Sequence, residues 1–224
     1  MLPGYGHFTT FLLEPPNLVR GLTFHRARLA EGHRTLFGRA LPTGLVDGLS
    51  CTEPTIVKVT LYDDDVEVTT RPVPSSAPMS CDFFPLTRNL PRVKHLGLAP
   101  QWYAQKHVDA DDAILVTDDT ITEGSMFNVA FITPDGALEW PVGDVLFGTT
   151  QQLIEGIWPS TRREIHTGEL GRYIGAIGTN AARGVRLITR IGHDFTTSEA
   201  GCEVARDIAR AYMEIPRDAL TSLN

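Results

Sequence analysis

Lys94 is the side chain in this sequence best suited to covalent chemistry. The chain has seventeen arginines and only three lysines, Lys58, Lys94 and Lys106. Lys94 lies in a short, largely apolar segment, Leu-Pro-Arg-Val-Lys-His-Leu-Gly-Leu at 90–98. An amine among apolar neighbours loses hydration, which lowers its pKa and leaves more of it as the free base. A free amine can attack a carbonyl and form a Schiff base, and a guanidinium cannot. The competing explanation is a lysine that lays its stem along apolar surface and keeps its ammonium in water. The lysine alone does not decide between them.

The segment 112–132 adds a second group. Two apolar runs, 113–116 and 129–132, flank a polar middle, and Asp118-Asp119-Thr120 reads as a turn. Glu123 and Asn128 then fall on or beside a strand with apolar surroundings. A carboxylate there needs a partner, because an unpaired buried charge is costly. The protonated ring nitrogen of a pyridine cofactor is one good partner. Further on, Gly148-Thr149-Thr150 opens a helical stretch. Free N–H groups, two hydroxyls and the positive end of a helix dipole together suit a phosphate. A plain N-cap by Thr149 or Thr150 is the alternative.

These motifs resemble the class IV aminotransferases, which are pyridoxal-phosphate enzymes of fold type IV. The resemblance rests on Lys94-His95-Leu96, Asp112-Ala113 before an apolar strand, and Thr122-Glu123-Gly124-Ser125 with Asn128 five residues after the glutamate. It extends almost end to end. Phe8-Thr9-Thr10 is similar to a first active-site strand, His25-x-x-Arg28-Leu29 to the family's His-x-x-Arg-Leu helix, and Leu146-x-Gly148-x-Thr150 to its Leu-x-Gly-x-Thr segment. Gly178-Thr179-Asn180-Ala181-Ala182 is similar to the second phosphate-contact loop. Lys-His-Leu at the lysine looks closest to the 4-amino-4-deoxychorismate lyase branch. That branch places a tyrosine where this chain has Ala99, and relatives place Pro-Val where it has Arg186-Leu187.

The resemblance implies pyridoxal 5'-phosphate as cofactor and Lys94 as the Schiff-base and proton-transfer residue. It implies that Glu123 keeps the pyridine nitrogen protonated, with Asn128 beside it. Arg28, Gly148, Thr149, Thr150, Thr179 and Asn180 would hold the phosphate, and Phe8 and Thr10 would face a small-molecule amine substrate. It also implies a homodimer. The leading expectation is a lyase that eliminates pyruvate to give 4-aminobenzoate, a step of folate synthesis. The alternatives are a transaminase of branched-chain or D-amino acids, and a non-catalytic relative that keeps the fold.

Composition agrees. At 224 residues and 42% hydrophobic, the chain can bury a core without staples. A net charge of −7 and no long basic run speak against nucleic-acid binding. Cys51, Cys81 and Cys202 are odd in number and widely spaced, which suggests reduced thiols in the cytoplasm and no metal site. None of the seven histidines shows zinc-helix spacing, and Ser125 lacks a nucleophile elbow. His95 should point away from Lys94 and serve structure. Neither a signal peptide nor a membrane span is expected.

The elements that must position these residues form an α+β, two-lobed fold of type IV with a shortened N-terminal lobe. The lobes divide at 1–78 and 79–224, with the proline-rich 72–78 as linker. Strands are expected at 7–14, 18–22, 56–62 and 66–71, and a helix at 24–37 capped by Thr23. The second lobe should hold a strand through Lys94, a helix at 100–107, the Glu123 hairpin and a strand at 137–140. A helix at 150–158 and strands at 164–166, 173–177 and 185–191 follow. The last helix is capped by Thr197 or Ser198.

Overall fold

A computed structural model describes residues 4–221 and 223. Met1, Leu2 and Pro3, on which the expectation of no signal peptide rests, lie outside them. The first lobe has strands β1 (His7–Leu13), β2 (Leu18–Val19), β3 (Thr55–Tyr62) and β4 (Asp65–Pro72), with helix α1 (Leu22–Phe37) between β2 and β3. β1, β3 and β4 form an antiparallel sheet in which Thr10 faces Lys58 and Ile56 faces Arg71. Side chains alternate across a strand. Phe11, Leu13, Val57, Val59 and Leu61 therefore share one face and pack with Leu22 and Leu29 of α1. Phe8, Thr10 and Lys58 are left on the other face.

α1 starts two residues earlier than expected, and its N-cap is Gly21, not Thr23. Gly21 has φ 69°, and a Cβ there would lie 2.9 Å from Thr149 Cγ2. The left-handed turn and the close approach both require glycine.

The second lobe runs β5 (Met79–Pro85), α2 (Ala99–Lys106), β6 (Asp112–Thr117), β7 (Thr120–Gly124), β8 (Asn128–Ile132), β9 (Leu138–Pro141), α3 (Thr149–Glu155), β10 (Ser160–Arg163), β11 (Gly175–Asn180), β12 (Gly184–Ile191), β13 (Phe195–Thr196) and α4 (Glu199–Glu214). β14 (Asp218–Ala219) returns to the first lobe and pairs with β2. The sheet order is β10-β9-β8-β11-β12-β5-β6-β7, with β13 on β12. It curls: Ile121 N donates to Ile165 O, and Thr120 bridges His166, so β7 meets the chain beyond β10. Met79, Ile114, Phe127, Phe131 and Ile188 fill one core inside this curl. α4 covers the outside with Ala205, Ile208 and Tyr212. Its N-cap is Ser198, whose Oγ accepts from Gly201 N at 3.1 Å.

Several expectations are corrected. Lys94 is not on a strand; it lies in an irregular segment after β5. Its main chain is nonetheless fixed, because Phe8 N donates to Lys94 O at 2.9 Å and Leu96 N to Gly6 O at 3.0 Å. β5 was not foreseen. It is an interior strand, parallel to both β12 and β6, so its sequence lacks a one-sided alternation. The strand expected at 164–166 falls at Ser160–Arg163, where it pairs with β9.

Candidate functional site

One cavity of about 590 Å³ opens between the two sheets and gathers most of the chemistry-bearing residues. Phe8, Thr10, Arg28, Lys94, Glu123 and Asn128 all line it, as do Gly148, Thr149, Thr179 and Asn180. Residues separated by more than 170 positions thus meet at one place. The size suits a small ligand.

Lys94 presents its ammonium to the Phe8 ring, 4.9 Å from the centroid. Lys58 lies 4.7 Å from the same ring. Burial, and then the charges of Arg28 and Arg88, bring the Lys94 amine down to about 7, with Glu123 opposing. The apolar segment predicted the direction, and two guanidiniums strengthen it. His95 turns away as expected: its Nε2 meets Asn89 O at 2.9 Å and its Nδ1 accepts from Gly97 N at 3.1 Å.

Glu123 is 3% exposed and already has protein partners. Arg88 Nη1 donates to Oε1 at 3.0 Å, and Leu146 N donates to Oε2 at 3.2 Å. Arg88 is held in turn by Val93 O. Burial pushes the Glu123 carboxyl above its usual range, and Arg88 pulls it back. The expected need for a partner is real, but a cationic side chain meets part of it. A carboxylate offers about four acceptor positions, so Glu123 keeps capacity for a donor in the cavity.

Arg28 donates to Thr9 Oγ1 at 2.9 Å, and Thr9 Oγ1 lies 2.7 Å from His25 Nδ1. Burial, helped by Arg28 and Lys94, holds the His25 imidazole well below its usual pKa, so it is neutral beside the Thr9 hydroxyl. Burial and then Arg88 lower the Arg28 guanidinium to about 10, which leaves it charged at neutral pH. Its Nε is buried without a hydrogen bond. The Thr9–His25 pair explains the spacing of His25 and Arg28, one helical turn apart on α1.

At α3 the N-cap is Gly148, and no side chain caps the helix. Thr149 and Thr150 are therefore in the first turn, not at the cap. Thr149 lines the main cavity and also borders a small void behind it, with its buried Oγ1 free of protein hydrogen bonds. Thr150 instead lines a void of about 10 Å³ with Arg20, His25 and Tyr212, so its hydroxyl is not brought to the cavity. Gly148 is required sterically: a Cβ would sit 2.0 Å from Asn128 Oδ1. Asn128 fixes this approach by donating from Nδ2 to Leu146 O at 2.7 Å.

In the turn after β11, Asn180 Nδ2 donates to Met126 O, and Oδ1 accepts from Ala182 N and Arg183 N. That side chain shapes the turn. Thr179 Oγ1 is 3.5 Å from Asn128 O, a weak contact that leaves the hydroxyl able to turn. Sequence reasoning missed Arg88, Arg71, Arg183, Arg186 and Trp102, which also line the cavity. The unanswered charge of Glu123 was a signal for Arg88; nothing local marked the others.

The donor set fits pyridoxal phosphate. A near-neutral amine is available for its aldehyde, Glu123 for its ring nitrogen, and Arg28 with the orphaned Thr149 Oγ1 for its phosphate.

Residues 66–191 match the family described as amino-transferase class IV, and the chain belongs to that family of pyridoxal-phosphate enzymes. The fold is similar to a fold IV transaminase from Curtobacterium pusillum, at 20% identity and TM-score 0.77, covering 94% of this chain and 87% of that one. It is also similar to the PLP-bound form of a hypothetical aminotransferase from Mycobacterium tuberculosis, at 17% identity and TM-score 0.77, covering 94% and 89%. A branched-chain aminotransferase from Thermoproteus uzoniensis with norvaline gives 17% identity and TM-score 0.77, covering 94% and 84%. At these identities the likeness speaks to fold. No curated protein matches the chain. Among the described residues no helix is long and apolar enough to cross a membrane, and no cluster of side chains could hold a metal ion.

Proposed function

We propose that this protein is a pyridoxal-phosphate aminotransferase in which Lys94 carries the cofactor and transfers the substrate proton. The observation that carries this reading is the Lys94 amine itself, held near pKa 7 in the cavity lined by Glu123, Arg28 and Thr149. Bound there, pyridoxal phosphate supplies an electron sink for the carbon next to the substrate amine. The protein's part is placement and proton transfer. An amine with a pKa near the working pH is both a usable base and a usable acid at Nζ. Glu123, fixed by Arg88 and Leu146 N–H, presents a carboxylate of set orientation to a ring N–H. Arg28 and Thr149 hold the phosphate, and the Thr179 hydroxyl turns to join them. Phe8 walls the amine and limits its water contacts.

A transaminase is supported over a lyase by the aminotransferases among the similar folds. Elimination of pyruvate from 4-amino-4-deoxychorismate is the second reading, favoured by Lys94-His95-Leu96. We assign the division at 1–78 and 79–224 to two lobes of one site, and a second copy of the chain as partner. The exposed edge strand β4, with Val66 and Val68 open, supports the latter. Three free cysteines support a cytoplasmic setting.

The test is borohydride reduction of the protein with added pyridoxal phosphate, followed by peptide mapping. Label on the Lys94 peptide, lost in Lys94→Ala, is expected, together with amino transfer from an amino acid to an oxo acid. Label elsewhere, or none at saturating cofactor, removes the proposal. Pyruvate from aminodeoxychorismate without amino transfer selects the lyase.

A further inference from the structure

Between β9 and α3 the chain runs through 142–148 with no strand or helix of its own, yet this stretch serves two parts of the site. Leu146 N donates to Glu123 Oε2 at 3.2 Å, and Gly148 opens α3 beside Asn128. An irregular segment lacks the regular ladder of main-chain bonds, so its course depends on the groups that reach its carbonyls. Asn128 Nδ2 donates to Leu146 O at 2.7 Å, and Gln152 Nε2 to Gly148 O at 3.3 Å. The carbonyls ahead of these are held by a residue from another part of the chain. Arg92 Nη1 donates to Val145 O at 2.9 Å, and Nη2 to Gly143 O at 3.2 Å.

Arg92 stands two residues before Lys94. Its guanidinium also lies over the Phe147 ring, with Cζ 4.1 Å from the centroid. Arg162 of β10 lies over the same ring at 4.7 Å. Arg162 is itself fixed, because its Nε and Nη2 donate to the two carboxylate oxygens of Glu155 on α3 at 2.7 and 2.6 Å. Phe147 is 39% exposed, and two cations hold this open aromatic in place. Arg92 makes no ion pair among the described residues, whereas Arg162 does. Its guanidinium is engaged by two carbonyls and a ring, a use that suits a planar fork and not a lysine ammonium. The backbone beside it is fixed by Phe8 N on Lys94 O and by Arg88 Nη2 on Val93 O. Arg92 thus joins the segment that carries the reactive amine to the segment that serves Glu123 and the start of α3.

We propose that Arg92 is a positioning residue for the cofactor site: it sets the backbone of 143–147 so that Leu146 N–H stays on Glu123 and α3 opens toward the cavity. Arg92 is not among the residues that line the cavity, so it acts through these others. The inference rests on the aminotransferase reading for the word cofactor, but the contact with Glu123 belongs to the protein alone. Without Arg92, Gly143 O and Val145 O turn to water and the Leu146 amide loses its fixed direction. Glu123 keeps Arg88 and loses a donor, so the orientation of its carboxylate is no longer set.

Amide hydrogen exchange of the cofactor-free protein, followed by NMR, tests this together with a titration by pyridoxal phosphate. In Arg92→Ala the Leu146 amide should exchange at least about tenfold faster, the worth of one bond to a charged group. The amides of Ala130 and Phe131, inside β8, should keep their native rates. Pyridoxal phosphate should bind at least about tenfold more weakly. Arg92→Lys keeps the charge and loses the fork, and should behave as Arg92→Ala does. Native exchange at Leu146 in Arg92→Ala overturns the proposal, and so does faster exchange at Leu146 and β8 alike, which would make Arg92 a stabilising residue only. Native behaviour of Arg92→Lys overturns it too, since charge alone would then suffice. Failure to trap cofactor on Lys94 would instead overturn the aminotransferase reading, and exchange at Leu146 would still decide the role of Arg92.

Discussion

The chemistry of single residues here is set by charge inside a confined space. Lys94 is held near pKa 7 by burial and by Arg28 and Arg88. Its rate of reaction with a small aldehyde, followed with pH in the cofactor-free protein, should therefore rise through about 7 and level off. A rise centred near the ordinary lysine value would show that the amine is hydrated. Arg88 is the counterweight to Glu123. In Arg88→Gln, the carboxyl would lose its cation while remaining buried, and its pKa in the folded state would climb further above the unfolded value. The native state then holds a proton that the unfolded state has released, so stability falls as pH rises above the unfolded pKa. Loss of the partner of a buried charge costs about 3 kcal/mol. Urea unfolding of Arg88→Gln should show a deficit of that order at pH 8 that shrinks toward pH 5. A deficit independent of pH would mean that Arg88 acts by packing alone.

At the scale of elements, the site depends on where strands and helices begin. Gly148 ends the approach to α3 against Asn128, and Gly21 starts α1 against Thr149. Gly148 has φ −68°, which suits any residue, so its requirement is steric. Gly148→Ala should displace the Asn128 amide, break its bond to Leu146 O and move the first turn of α3. A loss of about 2 kcal/mol is expected from overpacking, with cofactor affinity reduced by more than tenfold. Unchanged cofactor affinity in a titration of the variant would remove α3 from the phosphate site. The elements with local signatures were legible: β1 and the β3–β4 pair at 7–14, 56–62 and 66–71, and α4 from a cap at Ser198. β5 was not, because an interior parallel strand takes its partners from β6 and β12, distant in sequence.

For the whole molecule, the join between lobes is the decisive feature. Arg20, 6% exposed, pairs with Glu14 at 2.8 Å and donates to Met213 O, while Arg217 meets the same carboxylate. β2, the end of α4 and the segment before β14 are locked by this one acid. Glu14→Gln should leave Arg20 buried without its counter-charge and cost about 2 to 3 kcal/mol. It should unfold cooperatively at lower denaturant, read by urea titration. A separate early transition for the first lobe would show that the lobes are less dependent on each other than this join implies.

The sequence by itself determined the chemistry on offer and the family to which it belongs. A lysine in an apolar segment, a glutamate on a buried hairpin and a glycine ahead of two threonines are local facts, and local physics reads them. It could not determine which groups share a cavity. That Thr149 reaches the site while Thr150 stays beside Tyr212, that Arg88 answers Glu123, and that Lys58 and Arg71 line one cavity with Arg183 and Arg186 all follow from strand register and from the packing of one lobe on the other. Those contacts link residues far apart in the chain, so only the folded backbone could assign them.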